Sequence, residues 1–438
     1  MLGKLYEFKL IPGMKSIFAT ATFKQSGITF TGTLINGVLG AVFYILVARF
    51  LGPASYGLLA VTIAVLTLVA DIGDLGTDTG LVRFVGKYIN TDKLKAYRFL
   101  KLGLKVKLLV SIFVMLFGYF LAPAIANSVF AKPILTQPFR IAFIGVGSAL
   151  LFSFTTHTLQ ALQKFVSWSA IQVGTNLIRL LIIVVLYYLG SINIINTLSA
   201  YIIMPFLGFL FGLFIIPTKF MKVRNEGSVT KDFFHYNKWV AAFTLVAAVS
   251  SRLDTFITAR LLTAAQLGIY SAANQIVQIV PQIVAAMGTV IAPKMASMGK
   301  IEDLISYIKK TQVMVIVLSF MGILSIPFVV YLIPLLFGPD YSGSIPIFVI
   351  LLFAMLAFLI SVPVHNAIFY YFSYPKLFFW LSLTHITIVG VAGWYAISIY
   401  GLIGAATVVL LGQVVNLIIP TVWVVRRIRH QKINKLTD

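Results

Sequence analysis

Residues 69–84, V-A-D-I-G-D-L-G-T-D-T-G-L-V-R-F, hold three aspartates, Asp71, Asp74 and Asp78, in a chain with only 12 acidic residues. On a continuous helix, at about 100° per residue, these carboxylates fall within an arc of about 60°. Such a stripe can bind a cation, carry a proton, hold sugar hydroxyls or neutralise an internal base. Gly73, Gly76 and Gly80 share the roughly opposite arc, which is smooth enough for a second helix to approach closely. Further along, Gln172, Asn176 and Arg179 share one helical face, and Gln275, Gln278 and Gln282 share another. Arg252 and Asp254 are two apart, so they point to different sides and are not expected to pair with each other. A guanidinium matches the geometry of a phosphate. Arg179 and Arg252 therefore have two readings, as counter-charges for the aspartates or as receivers of a diphosphate.

These residues sit in an apolar chain. It has 438 residues, 60% hydrophobic and 11% charged, with a mean hydropathy of +0.99. So few charges cannot cover a soluble globule of this size. The composition predicts an all-α polytopic membrane protein. About twelve runs reach the roughly 20 residues that a membrane helix needs: 27–48, 58–82, 103–126, 139–162, 166–189, 194–217, 237–259, 266–292, 311–335, 344–370, 376–398 and 401–424. No run alternates as a β-barrel strand would. The expected organisation is a basic amphipathic segment at 1–26, a six-helix bundle at 27–218, a basic link at 219–236, a second bundle at 237–424 and a basic tail at 425–438.

Charge sets the orientation. Most of the 34 Lys and Arg fall in alternate connections and at the two ends of the chain, including Lys101, Lys105 and Lys107 after the second span. Arg49, Lys132, Arg140 and Arg260 fall in the other connections. The positive-inside rule then puts both termini in the cytoplasm of a multi-pass cell-membrane protein. The net charge of +22 is read as contact with anionic membrane lipid and not with nucleic acid. There are no cysteines, hence no disulfide. No phosphate-binding G-x-x-x-x-G-K-[ST] loop, H-E-x-x-H, G-x-S-x-G or Cys/His metal spacing occurs. No catalytic residue, metal or cofactor is expected, and the chain does not read as an enzyme.

The chain repeats itself. A-R-F-L-G-P-A-S-Y-G-L-L-A from Ala48 returns as A-R-L-L-T-A-A-Q-L-G-I-Y-S from Ala259. A shift of 211 residues pairs Arg49 with Arg260, Gly57 with Gly268, Arg83 with Lys294 and Asp71 with Gln282. Six spans separate the copies, so both halves run the same way through the membrane around a central cavity. The polar stripes of the second and eighth spans are expected to line that cavity. The neutral alternative is that Asp and Gln glue helices together. His157, His365, His385 and Asn36 are read as packing or as polar lining, and Pro205, Pro281, Pro327 and Pro363 as kinks in their spans.

The string ARFLGPASYGLLA, followed by a span, DLG and LVRF, resembles the polysaccharide transporter (Wzx-type) flippases of the multidrug/oligosaccharidyl-lipid/polysaccharide exporter (MOP) superfamily. LQALQKF (159–165) and SRLDTFITARLLTAAQLGIYSAANQI (251–276) are similar to the same family. The resemblance implies a MATE-like fold and the flipping of a polyprenyl-(di)phosphate-linked sugar from the inner to the outer leaflet by alternating access; with no ATP-binding loop in the sequence, the drive is either a proton or sodium gradient or downhill flipping. Many relatives carry two more C-terminal spans than the twelve expected here. The candidate cavity residues are Asp71, Asp74, Asp78, Asn176, Arg179, Arg252, Asp254, Gln275, Gln278 and Gln282. A proton- or sodium-coupled exporter of cationic drugs from the same superfamily is the alternative, since an acidic intramembrane patch suits a cation. A membrane-embedded polymerase or glycosyltransferase would want larger outer loops than this chain has.

Overall fold

The computed structural model describes residues 21–224, 226–374 and 376–437. Residues 1–20 of the basic segment expected at 1–26 lie outside that set. Among the described residues there are helices and turns and no strands. Nine helices among the described residues are long and apolar enough to cross a membrane, or ten if one bent pair is a single span. The chain is a multi-pass membrane protein.

The first half runs through α1 (Ala21–Gly73), α2 (Thr77–Tyr88), α3 (Lys93–Ala124), α4 (Thr136–Ala161), α5 (Phe165–Tyr188) and α6 (Ile194–Ile215). After a short 3-10 turn at Thr218–Lys222 come α7 (Gly227–Ser250), α8 (Leu253–Leu261), α9 (Ala264–Val277), α10 (Ile279–Ala296), α11 (Ile301–Leu324), α12 (Ile326–Phe337), α13 (Ser344–Asn366), α14 (Lys376–Thr387) and α15 (Gly393–Thr437). The expected count of twelve requires two of these elements to be divided. Residues 27–73 of α1 would extend about 70 Å if straight, roughly twice the apolar thickness of a bilayer. Its backbone leaves helical geometry at Gly52 (φ 73°), just before Pro53. α15 is broken in the same way at Gly401 (φ 59°). Only glycine enters that region without strain.

Three further breaks fall beside the polar residues. Between α1 and α2 the chain turns through Leu75 (φ 51°) and Gly76 (φ 72°), so the second span is not one continuous helix. Between α7 and α8 it bends by 40° at residues 251–252. Between α9 and α10 it breaks at Gln278. A kink was expected at Pro281; the interruption lies three residues earlier. Proline has no N–H to donate to the carbonyl four residues back, here that of Val277.

Candidate functional site

The break at 74–76 separates the three aspartates. Asp71, at the end of α1, pairs with Arg252 at 2.7 Å. Arg252 lies at the bend between α7 and α8, so this ion pair joins the two halves of the chain. Its guanidinium also reaches the hydroxyl of Thr67 and the carbonyl of Ala248. The pair is only partly enclosed by protein: the Asp71 side chain is 47% exposed.

Asp74 and Asp78 turn the other way, into the first half. Lys107 of α3 has a fully buried side chain and lies 2.7 Å from Asp74 and 2.8 Å from Asp78. Ser153 of α4 donates to Asp78, and His157 Nδ1 stands 3.1 Å from the same carboxylate. Asp74 also accepts from the hydroxyl of Thr77 and the amide of Asp78 in the first turn of α2. The expectation of one acidic face is thus corrected. One aspartate points to the junction of the halves, and two are held by a lysine that the charge count had assigned to the cytoplasm. Lys107 lies inside the expected span 103–126, and a lysine four residues into a span is the signal that could have found it.

Gly76 and Gly80 do face a neighbouring helix. A Cβ on either would come within 3 Å of Asn237 in α7, whereas Gly73 faces Val110 and Leu150. Asn237 is buried there, and neither its amide nitrogen nor its oxygen has a hydrogen-bond partner.

The other expected residues form separate groups. Asn36, Asn176 and Arg179 make a chain: Asn176 donates to Asn36, and Arg179 donates to Asn176. The Arg179 guanidinium lies over Phe43 and Tyr201, at 4.4 and 4.7 Å from the ring centroids. Among the described residues it has no acidic partner. Asp254 accepts from the phenol of Tyr270. Close by, His385 meets Ser250 at 3.0 Å through Nδ1. Gln278 and Gln282 are exposed and Gln275 is half-buried. Gln278 donates to Asn274 at the helix break.

Away from these groups, the two copies of the repeat meet face to face. A Cβ on Gly57 would stand 2.1 Å from the carbonyl oxygen of Ala264, and one on Gly268 would stand 1.9 Å from that of Pro53. Arg49 donates to the Leu335 carbonyl at 2.6 Å, across to the second half. Its repeat partner Arg260 donates to the Ser128 carbonyl at 3.1 Å, across to the first. The Ala48 carbonyl accepts from Tyr341, and the equivalent Ala259 carbonyl accepts from Lys132. Each copy of the motif is therefore clasped by the opposite half, in the same way.

The family model described as "Polysaccharide biosynthesis protein" matches residues 22–299, well over half of the chain. The chain belongs to that family. Its fold is that of transporters of the MOP superfamily. It is similar to an inward-facing multidrug resistance MATE family transporter of that superfamily, at 15% identity and a TM-score of 0.73, covering 91% of this chain and 95% of the other. It is similar to the lipid II flippase MurJ in an inward closed conformation, at 13% identity and 0.73, covering 90% and 87%. A MOP superfamily transporter from Pyrococcus furiosus matches at 14% identity and 0.63, covering 93% and 95%. No curated protein matches the chain.

Proposed function

We propose that the protein flips a polyprenyl-(di)phosphate-linked sugar from the inner to the outer leaflet of the cell membrane, with both termini in the cytoplasm. The halves 27–218 and 237–424 rock against each other, and the polar head crosses between them while the lipid stays in the bilayer. The observation that carries this reading is the Asp71–Arg252 pair, a half-exposed ion pair at the junction of two halves of one repeat. A partly enclosed intramembrane pair can exchange partners, and an arriving diphosphate competes with Asp71 for the guanidinium. Arg179, with no acidic partner of its own, offers a second cation to phosphate. The glutamines and Asp254 offer hydrogen bonds to sugar. The clasp of the repeat copies, at the end carrying the less basic connections, closes the outer side in this conformation. Family membership and the flippase-like fold support the same reading.

The test is a liposome assay with purified protein and a fluorescent polyprenyl-diphosphate sugar. Wild type should move the label between leaflets, and Asp71→Asn and Arg179→Ala should each slow it at least about tenfold, one partner's worth of a charge-assisted contact. Wild-type rates in both variants would remove the cavity assignment.

A second reading, the coupled export of cationic drugs, is favoured by the acidic pair Asp74 and Asp78. Lys107 and His157 weaken it, because they occupy the positions from which a cation would be held. Export of tetraphenylphosphonium that depends on Asp74 or Asp78 would promote it.

A further inference from the structure

α1 and α5 part near one end to form an apolar groove. Ile28, Gly32 and Ile35 face Ser169, Ala170 and Val173 across a space of about 580 Å³. The groove is open along its length, and its lining is mostly aliphatic. Through Gly32 and Ser169 it adjoins a second cavity of about 140 Å³, which Asn36, Trp168 and Gln172 also line. Its walls carry the polar side chains of Thr33, Asn36, Ser169 and Gln172 beside the indole of Trp168. Asn36 continues through Asn176 to Arg179. Two donors along this route are buried without partners, the Ser169 hydroxyl and the Arg179 Nε. In an apolar setting a donor without an acceptor is costly, so the route as it stands is incomplete.

The sequence of environments is an aliphatic trough, a small chamber of mixed lining, two amides and a guanidinium without an acidic partner, backed by aromatic rings. An amphiphile has the same order: a chain, a polar linkage and an anionic head. The charge selects the head group. A phosphate satisfies Arg179, and a cationic or sugar head without phosphate leaves it unpaired.

We propose that the first half contains a lipid-phosphate seat between its first and fifth spans, with an isoprenoid chain in the groove and its phosphate at Asn36, Asn176 and Arg179. This rests on the flippase reading and deepens it. The lipid part of the substrate is bound within one half, beside α1, and not in the space between the halves.

Binding to the full chain in detergent, followed by calorimetry, tests this with farnesyl phosphate, farnesol, inorganic phosphate and dioleoylphosphatidylglycerol as probes. Farnesyl phosphate should bind saturably, with farnesol and inorganic phosphate at least about tenfold weaker. Ala170→Phe fills the groove from an exposed position and should weaken farnesyl phosphate about tenfold at an unchanged melting temperature. Arg179→Gln should do the same, and Arg179→Lys should restore part of the loss. Equal binding by phosphatidylglycerol, or by inorganic phosphate, overturns the seat, as does full affinity in Ala170→Phe. If Ala170→Phe binds and flips normally, the groove assignment is wrong and the flippase reading stands. If farnesyl phosphate binds as described but no lipid-linked sugar is flipped, the flippase reading fails and the seat remains.

Discussion

The two copies of the repeat agree at one end and differ a few turns further along. At the clasp, Arg49 and Arg260 each cross to a carbonyl of the other half, the carbonyls of Ala48 and Ala259 each accept from it, and Gly57 and Gly268 sit against each other's neighbours. Fourteen residues past the glycine the copies differ in charge, with Asp71 in one and Gln282 in the other. Asp71 reaches Arg252, whereas Gln282 is exposed. Symmetric packing suits a joint on which two like halves pivot, since each half then meets the same contacts. Binding a charged head group needs no such symmetry.

The largest predicted effect is at the glycines of the joint. Leucine at Gly57 or Gly268 would drive a side chain into the facing backbone, which has no freedom to give way. Overpacking typically costs about 1–3 kcal/mol, and more against backbone. Both variants should melt far below wild type and by similar amounts. A large effect at one and none at the other would break the symmetry of the joint.

Next comes Lys107→Met, which leaves two carboxylates in the membrane without their cation. Removing one partner of a buried pair costs about 3–5 kcal/mol. Adding Asp78→Asn to that variant should recover part of the loss in a thermal melt. A Lys107→Met protein as stable as wild type would show that the acids face water.

Asp71→Asn should behave differently. Its pair is half-exposed, so stability should change by only about 0–1 kcal/mol while flipping falls. A Gln282→Asp variant sharpens the contrast, because it puts acid into the second copy where Arg252 has no matching role. Its flipping rate should not rise above wild type.

The smallest effect is expected at Asn237. Its amide is buried against Gly76 and Gly80 without partners, a penalty that the hydrogen-bonded clasp does not carry. Asn237→Leu should raise the melting temperature slightly and slow flipping, because it favours this arrangement of α2 on α7. A drop in stability would mean that water or a partner satisfies the amide.

Much of the fold was legible because membrane spans depend on apolar run length, and the 211-residue repeat correctly paired Gly57 with Gly268 and Arg49 with Arg260. The site was legible in type more than in arrangement. Asp71, Arg252, Asn176 and Arg179 were marked as polar residues inside spans. Their partners followed from tertiary packing that helical periodicity does not contain. The 60° arc assumed a continuous helix through 71–78, and Leu75 and Gly76 break it. Lys107 was counted as a surface charge because a span boundary drawn from hydropathy is uncertain by about a turn. Ser153 and Tyr270 carry no sequence mark at all, since a hydroxyl in an apolar helix most often bonds its own backbone.

The central claim is that the two halves must part at the clasp for the polar head to leave. The natural chain has no cysteine, so a pair introduced as Ser128→Cys with Arg260→Cys is the only disulfide it can form. Flipping of a fluorescent polyprenyl-diphosphate sugar is then compared in oxidised and reduced liposomes. The account predicts that oxidation abolishes flipping and reduction restores it. Equal rates in the two states, with the disulfide shown to have formed, would contradict it.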